Sequence, residues 1–231
     1  MNNTRFPMNK EKVSPCGSRH KTITTQMFAS NDPDTLPAVA EAIRKSELIV
    51  LPTDTVYGVG ASALDEEAIQ CLYFVKRRHT DKGIPILLSD ICDLQKAATN
   101  VPSYAESLIT RFWPGPLTLV LSKRKNLPPS ISETEYVAVR IPDHDISRAI
   151  IRAAGGMLAT TSANLSGHEP AQTARDALNV LAGAVAIVVD DGPSGGGVAS
   201  TVVDCTGDSI RILRPGPLTL EDLLEVEGLK K

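Results

Sequence analysis

Lys76, Arg77, Arg78 and Lys82 crowd the stretch KRRHTDKGIP around a single acid, Asp81, in a chain whose formal net charge is -3. Arginine donates through a planar fork that matches carboxylates and phosphates, and lysine supplies a mobile point charge. Lys76 and Arg78 flank one residue, and Lys82 follows after a short turn, so the set can surround a polyphosphate. The same residues also suit a helix C-terminus, where cations complement the dipole and lie in water. Spacing alone does not separate the two.

Further polar positions interrupt apolar runs. PTDTVYG puts hydroxyls at Thr53, Thr55 and Tyr57 directly after a run that reads as a buried strand. Open α/β sheets place ligands at strand carboxyl ends, which makes Thr55 a candidate donor, although threonine is also a good strand residue. Arg140 interrupts the apolar YVAVRIP. A lone buried charge is costly, so Arg140 calls for a carboxylate or phosphate partner and is expected to be functional. TTSANLSG ends an apolar run in small polar side chains, where Ser162 and Asn164 either cap a turn or let the backbone approach an anion or a base. GPSGGGVASTVVD leads a glycine-rich loop to Ser200 and Thr201 at a strand start. No G-K-[ST] follows those glycines, so this is not a Walker A loop. ILRPG closes a strand with Arg214 before a Pro-Gly turn.

Composition bounds what these residues can do. With 231 residues, 42% hydrophobic and 22% charged, the chain fits one α/β domain with a single good core. An aromatic share of 4% argues against a stacking platform for single strands, and the acidic balance argues against a surface that tracks a long phosphate backbone. Any anion site is therefore local. The cysteines and histidines show no zinc-ligand spacing. No apolar run approaches the roughly 18 residues of a membrane span. Residues 1–31 are basic, polar and without periodicity, which predicts a disordered tail ahead of a domain over 32–231; a transit peptide is the alternative reading.

Elements that must position the candidates follow from periodicity. Helices are expected at DTLPAVAEAIRKSE (inward Leu36, Val39, Ala40, Ile43), DEEAIQCLYFVKRR (inward Ile69, Leu72, Tyr73), SYAESLITRFW, HDISRAIIRAAG, TARDALNVLAG and TLEDLLEVEG. Strands are expected at LIVLP, IPILLS, PLTLVLS, YVAVRIP, GMLATTSA, AIVVDD, STVVDCT and SIRILRP, while TDTVYGVGA reads as a strand end and glycine-containing loop. Interleaved helices and strands, with several neighbouring strands late in the chain, predict a layered α/β domain around a mixed sheet. The repeated PGPLTL at Pro114 and Pro215 has unlike flanks and reads as chance.

Taken in order, PTDTVYGVGA, KRRHTDKGIPILL, WPGPLTLVL, VAVRIPDH, TTSANLSG, STVVD and LRPG resemble the YrdC-like family, the threonylcarbamoyl-AMP synthases, from roughly Leu36 to Gly216. The resemblance implies a YrdC/RibB-like α/β (α+β) fold: three layers around a twisted mixed sheet, helices on both sides, and a basic concave site. It implies a nucleotidyltransferase that makes L-threonylcarbamoyladenylate and pyrophosphate from L-threonine, bicarbonate and ATP, with Mg²⁺ accompanying the ATP. Proteins of a threonylcarbamoyl-transferase complex then pass the group to the tRNA adenosine next to the anticodon. Implied too are tRNA contact through double-stranded RNA binding, a cytoplasmic location without a membrane, and the short single-domain form. Organellar targeting by the tail is the alternative location.

The family's K-x-R and S-x-N motifs fall on Lys76, Arg78, Ser162 and Asn164, and Lys76 and Arg78 are implied as catalytic. Threonine binding carries to Thr55, Arg140, Thr160 and Ser200. Nucleotide binding carries to Arg78, Lys82, Tyr136, Ser162, Asn164 and Arg214. Two positions depart from the pattern: His79 stands where members often have proline, and Leu87 stands where some carry a threonine-contacting histidine. On this reading Lys76, Arg78, Lys82, Arg140 and Arg214 line one hollow and offset the repulsion between a carbamate and a triphosphate. Two other functions fit the same residues: an RNA-binding module without chemistry, and a related carbamoyl or acyl-adenylate enzyme on the same scaffold.

Overall fold

Residues 23–226 are described by the computed structural model. Strands β1 (Gln26–Ala29), β2 (Ile49–Leu51), β3 (Gly58–Ser62), β4 (Ile86–Leu88), β5 (Ala98–Thr99), β6 (Leu117–Lys123), β7 (Tyr136–Arg140), β8 (Met157–Ser162), β9 (Ile187–Asp190), β10 (Thr201–Asp204) and β11 (Arg211–Arg214) form one mixed sheet. Its order is β1-β9-β2-β3-β8-β4-β7-β6-β10-β11, with β5 paired to β6. The helices are α1 (Thr35–Arg44), α2 (Glu66–Lys76), α3 (Leu94–Ala97), α4 (Ser103–Phe112), α5 (Asp145–Ala153), α6 (Ala174–Leu181) and α7 (Leu220–Leu224).

Alternation along the strands splits the core in two. Ile49 and Leu51 of β2, Leu87 of β4 and Leu158 of β8 face α1 and α5, burying Val39, Ala42, Ile43, Ile150 and Ile151. Val50, Ile86 and Leu88 face the other way, against Ile69 and Leu72 of α2, Leu108 of α4 and Leu181 of α6. The result is the expected three-layer sandwich. The inward face of α1 is rotated slightly from the sequence reading, with Ala42 rather than Ala40 fully buried.

Helix α2 is fixed at both ends. Asp65 caps it by accepting from the Ala68 amide at 3.1 Å, Glu66 and Glu67 occupy the first turn, and the chain leaves through Arg77 in the left-handed conformation at φ 50°. Lys76 faces inward because it continues the buried stripe of Ile69, Leu72 and Tyr73, and the reversal at Arg77 ends the helix.

Two sequence expectations fail. The tail was drawn to residue 31, yet β1 lies inside it and pairs in parallel with β9, so order begins upstream of residue 32. The strand escaped notice because only Phe28 of its four residues is partly buried, which leaves no alternation to read. The disorder expected for residues 1–22 lies outside the described residues. GVGAS, read as a loop, is the buried strand β3, antiparallel to β2 and β8. Glycine is needed there. A Cβ on Gly58 would stand 2.7 Å from Cγ2 of Thr160. Gly58→Ala should therefore cost about 1–3 kcal/mol in urea unfolding through overpacking; an unchanged midpoint would show that Thr160 moves aside freely.

Packing by α1 and α5 ends at β4. On the same face β7, β6, β10 and β11 carry Ala138, Val120 and Val202, all only partly buried. This half of the sheet is the floor of the site.

Candidate active site

A cleft of about 320 Å³ opens over that floor. Its lining includes Thr53, Thr55, Arg78, Leu87, Thr118, Ala138, Arg140, Thr160, Thr161, Ser162, Ser200, Val202 and Arg214. Sequence-distant candidates meet here because register places them side by side. Arg140 pairs with Leu87, Thr118 with Val202, and Val202 with Arg214. Among the described residues, three arginines and no carboxylate line the cleft.

Each arginine is held differently. Arg78 donates through Nε to the Lys82 carbonyl and through Nη2 to the Gly83 carbonyl, both at 2.9 Å, so its charge is oriented without being neutralised. Arg214 forks onto Ser200, at 2.7 Å to the carbonyl and 3.1 Å to the hydroxyl. The Gly216 turn makes this possible: a Cβ there would stand 2.4 Å from the Thr201 amide nitrogen. Burial lowers the pKa of Arg214, and the fields of Arg140 and Arg78 lower it further, a sign that the three charges converge.

Arg140 is 5% exposed. Its Nε donates to the Gly115 carbonyl and its Nη1 to Thr55 Oγ1, both at 2.9 Å, while Nη2 pairs with Asp54. Burial depresses its pKa and Asp54 opposes that shift. The partner demanded by a strand-embedded arginine is thus Asp54, which sequence reasoning passed over although it sits between Thr53 and Thr55. Also missed were Thr118, whose hydroxyl meets that of Ser200 at 2.7 Å, and the Gly115 carbonyl.

Four expectations need correction, those for Lys76, Asn164, Lys82 and Tyr136. Lys76 does not line the cleft. It is 1% exposed, and its Nζ donates to the Ser162 carbonyl and, at 2.6 Å, to Asn164 Oδ1. Ser162 Oγ donates to the same Asn164 oxygen at 2.7 Å, and the Ser166 amide bonds the Lys76 carbonyl at 3.0 Å. Lys76 and Asn164 therefore stand behind the wall and shape the loop that presents Ser162. Burial, then the neighbouring Arg78 charge, pushes the Lys76 ammonium down to about 7. The Lys82 side chain is exposed and outside the cleft; its backbone carbonyl, not its ammonium, serves the site by receiving Arg78. Tyr136 is 42% exposed and lines an adjoining groove with Lys123, Arg124 and Lys125. It shares the face of Ala138 and Arg140 on β7 but sits two positions beyond the cleft floor. Thr55, Arg78, Arg140, Thr160, Ser162, Ser200 and Arg214 all line the cleft as expected.

An open mixed sheet with a cationic, hydroxyl-rimmed cleft on its bare half defines the class: an α/β domain with an arginine-lined cleft. Residues 41–216 match the Sua5_yciO_yrdC family, described as Telomere recombination, and the chain belongs to that family. A Bacillus subtilis threonylcarbamoyl-AMP synthase is 40% identical over 206 residues, covering 88% of this chain and 59% of that protein. A Mycobacterium tuberculosis putative threonylcarbamoyl-AMP synthase is 37% identical over 210 residues, covering 89% of this chain and 96% of that protein. Among solved structures, Pyrococcus abyssi Sua5 complexed with L-threonine superimposes with a TM-score of 0.84 at 36% identity, covering 89% of this chain and 61% of that one. The chain thus spans about three-fifths of the Bacillus and Pyrococcus proteins and nearly all of the mycobacterial one.

Proposed function

We propose that this protein is a threonylcarbamoyl-AMP synthase: it joins L-threonine, bicarbonate and ATP into L-threonylcarbamoyladenylate and releases pyrophosphate. The observation that carries the reading is one cleft lined, among the described residues, by three arginines and no carboxylate. The names of the relatives support it, as does the L-threonine held by the Pyrococcus structure. The amine of threonine condenses with bicarbonate to a carbamate, losing water. A carbamate oxygen then forms a bond to the α-phosphorus of ATP while the bond to the β-phosphate oxygen breaks, and pyrophosphate leaves.

Negative charge gathers as carbamate meets triphosphate, and fixed cations in a partly dried cleft act far more strongly than in water. Arg140, with Thr55, takes the threonine carboxylate, and Ser200 orients the amino acid. Arg78 and Arg214 face the phosphates, Ser162 bonds the phosphate and sugar region, and Lys76 with Asn164 holds Ser162 in place. The hydrogen bonds of the lining serine and threonine hydroxyls run to hydroxyls, carbonyls, an amide oxygen or arginine and not to a general base, so positioning and charge stabilisation are the chain's contribution. The described lining offers Mg²⁺ no carboxylate ligand and its arginines cannot ligate it, so any Mg²⁺ arriving with ATP would be held by the phosphates and water. The adenylate is then consumed by transfer proteins that modify tRNA, which puts the protein in the compartment of that tRNA, the cytoplasm.

Pyrophosphate release from ATP should require threonine and bicarbonate together, and mass spectrometry of the mixture should find the adenylate. ATP binding without turnover would instead favour a nucleotide- or RNA-binding module.

A further inference from the structure

Most hydroxyl protons on the cleft wall are already committed. Thr53 gives its proton to the Val56 carbonyl at 2.6 Å, so at 3.0 Å Thr55 gives its own to Thr53. Thr160 donates to the Leu158 carbonyl at 3.1 Å and Ser162 to Asn164 Oδ1 at 2.7 Å. Thr118 and Ser200 differ. Their hydroxyls meet each other at 2.7 Å, one bond for two protons. Arg214 Nη2 also donates to Ser200 Oγ, at 3.1 Å, which fills a lone pair and uses neither proton. One proton of the pair is therefore left to give. Thr118 is 3% and Ser200 5% exposed, and a buried hydroxyl proton without an acceptor is costly.

Strand order says what the acceptor is. Across the floor β7, β6, β10 and β11 are successive neighbours. Arg140 ends β7, Thr118 lies on β6, Ser200 directly precedes β10, and Arg214 ends β11. The spare proton thus sits between the arginine that takes the amino-acid carboxylate and the one that faces the phosphates. In the synthase reading the group formed between those two ends is the carbamate. We infer that Thr118 and Ser200 form the subsite for bicarbonate and for the carbamate it becomes. One carbamate oxygen accepts the spare proton while the other attacks the α-phosphorus. A neutral donor suits this task, because a full cation would hold the nucleophile back in the ground state. The inference deepens the synthase reading and rests on it.

The test is pyrophosphate release by the full chain as bicarbonate is varied in CO₂-depleted buffer, with ATP and threonine saturating. Thr118→Val keeps the shape of the side chain and removes its hydroxyl. It should raise KM for bicarbonate about 2- to 10-fold, the scale of one neutral hydrogen bond, with KM for ATP unchanged. Thr118→Ser restores the hydroxyl and should return the wild-type value. Each single variant keeps one hydroxyl that can still donate. Thr118→Val combined with Ser200→Ala keeps none, so its loss should exceed the product of the two single losses. If Thr118→Val is recovered too poorly to assay, Thr118→Ala is read the same way. An unchanged bicarbonate KM in Thr118→Val overturns the subsite and leaves the synthase standing. So does a Thr118→Ser as impaired as Thr118→Val, or a double variant no worse than the product. If wild type releases no pyrophosphate from ATP, threonine and bicarbonate, the synthase reading fails and takes this inference with it.

Discussion

Lys76→Met should reduce kcat/KM for adenylate formation by about 10²-fold, the scale of a small misplacement of a positioning group outside the reacting atoms. The loss has two sources. Methionine cannot hold the Ser162 carbonyl or Asn164 Oδ1, so the loop presenting Ser162 relaxes. A positive charge directly behind the wall also disappears. The pH behaviour separates this from simple unfolding. With its pKa near 7 in the fold against 10.5 when exposed, Lys76 is neutral above pH 7 in the folded protein but still protonated in the unfolded chain. The unfolded state therefore binds more protons between pH 7 and 10.5, and stability rises with pH across that window. Below pH 7 both states are protonated and the full cost of burying the ammonium is felt. Lys76→Met should thus melt no lower than wild type under mildly acidic conditions while its kcat/KM stays reduced. Nucleotide phosphates favour the ammonium form, so ATP binding at pH 8 should take up close to one proton in wild type and none at this site in Lys76→Met. Calorimetry in buffers of different ionisation heat measures this directly; equal uptake in both proteins would remove Lys76 from the phosphate field.

Asp54→Ala should destabilise the protein by about 3–5 kcal/mol, because removing one partner strands a buried charge. Arg140 cannot shed its proton, and among its partners Asp54 is the carboxylate, the others being a carbonyl and a hydroxyl. Asp54 keeps 15% of its side chain exposed, so solvent softens the loss toward the lower figure, roughly 10 °C in melting temperature for a chain of this size. Threonine then becomes diagnostic. If its carboxylate binds Arg140, it supplies the missing counter-charge, and saturating threonine should raise the melting temperature of Asp54→Ala more than that of wild type. Equal shifts would mean that the amino acid carboxylate binds elsewhere.

Much of this arrangement was legible before any coordinates. Apolar runs and charged caps located α2, β4 and β6 to β11, and the layered mixed sheet follows from their interleaving. Glycine misled the reading at β3: Gly58 and Gly60 look like loop residues in isolation, and only the neighbouring Thr160 and Leu158 explain why a strand must lack side chains there. Strand β1 carried too little apolar pattern to be seen at all. In the site, Arg140 announced itself by breaking an apolar strand, but its partner did not, because Asp54 has the composition of an ordinary turn. Lys76 and Lys82 were both read as cations facing a ligand, since sequence gives spacing but not direction. One points behind the wall and the other out to solvent.

Arg78 is anchored by main-chain oxygens of Lys82 and Gly83. Peptide carbonyls are the same whatever side chains surround them, so the tether asks nothing of the identities of His79, Thr80 or Asp81, all of which project outward. Substitution at these three positions should therefore leave the guanidinium where it is.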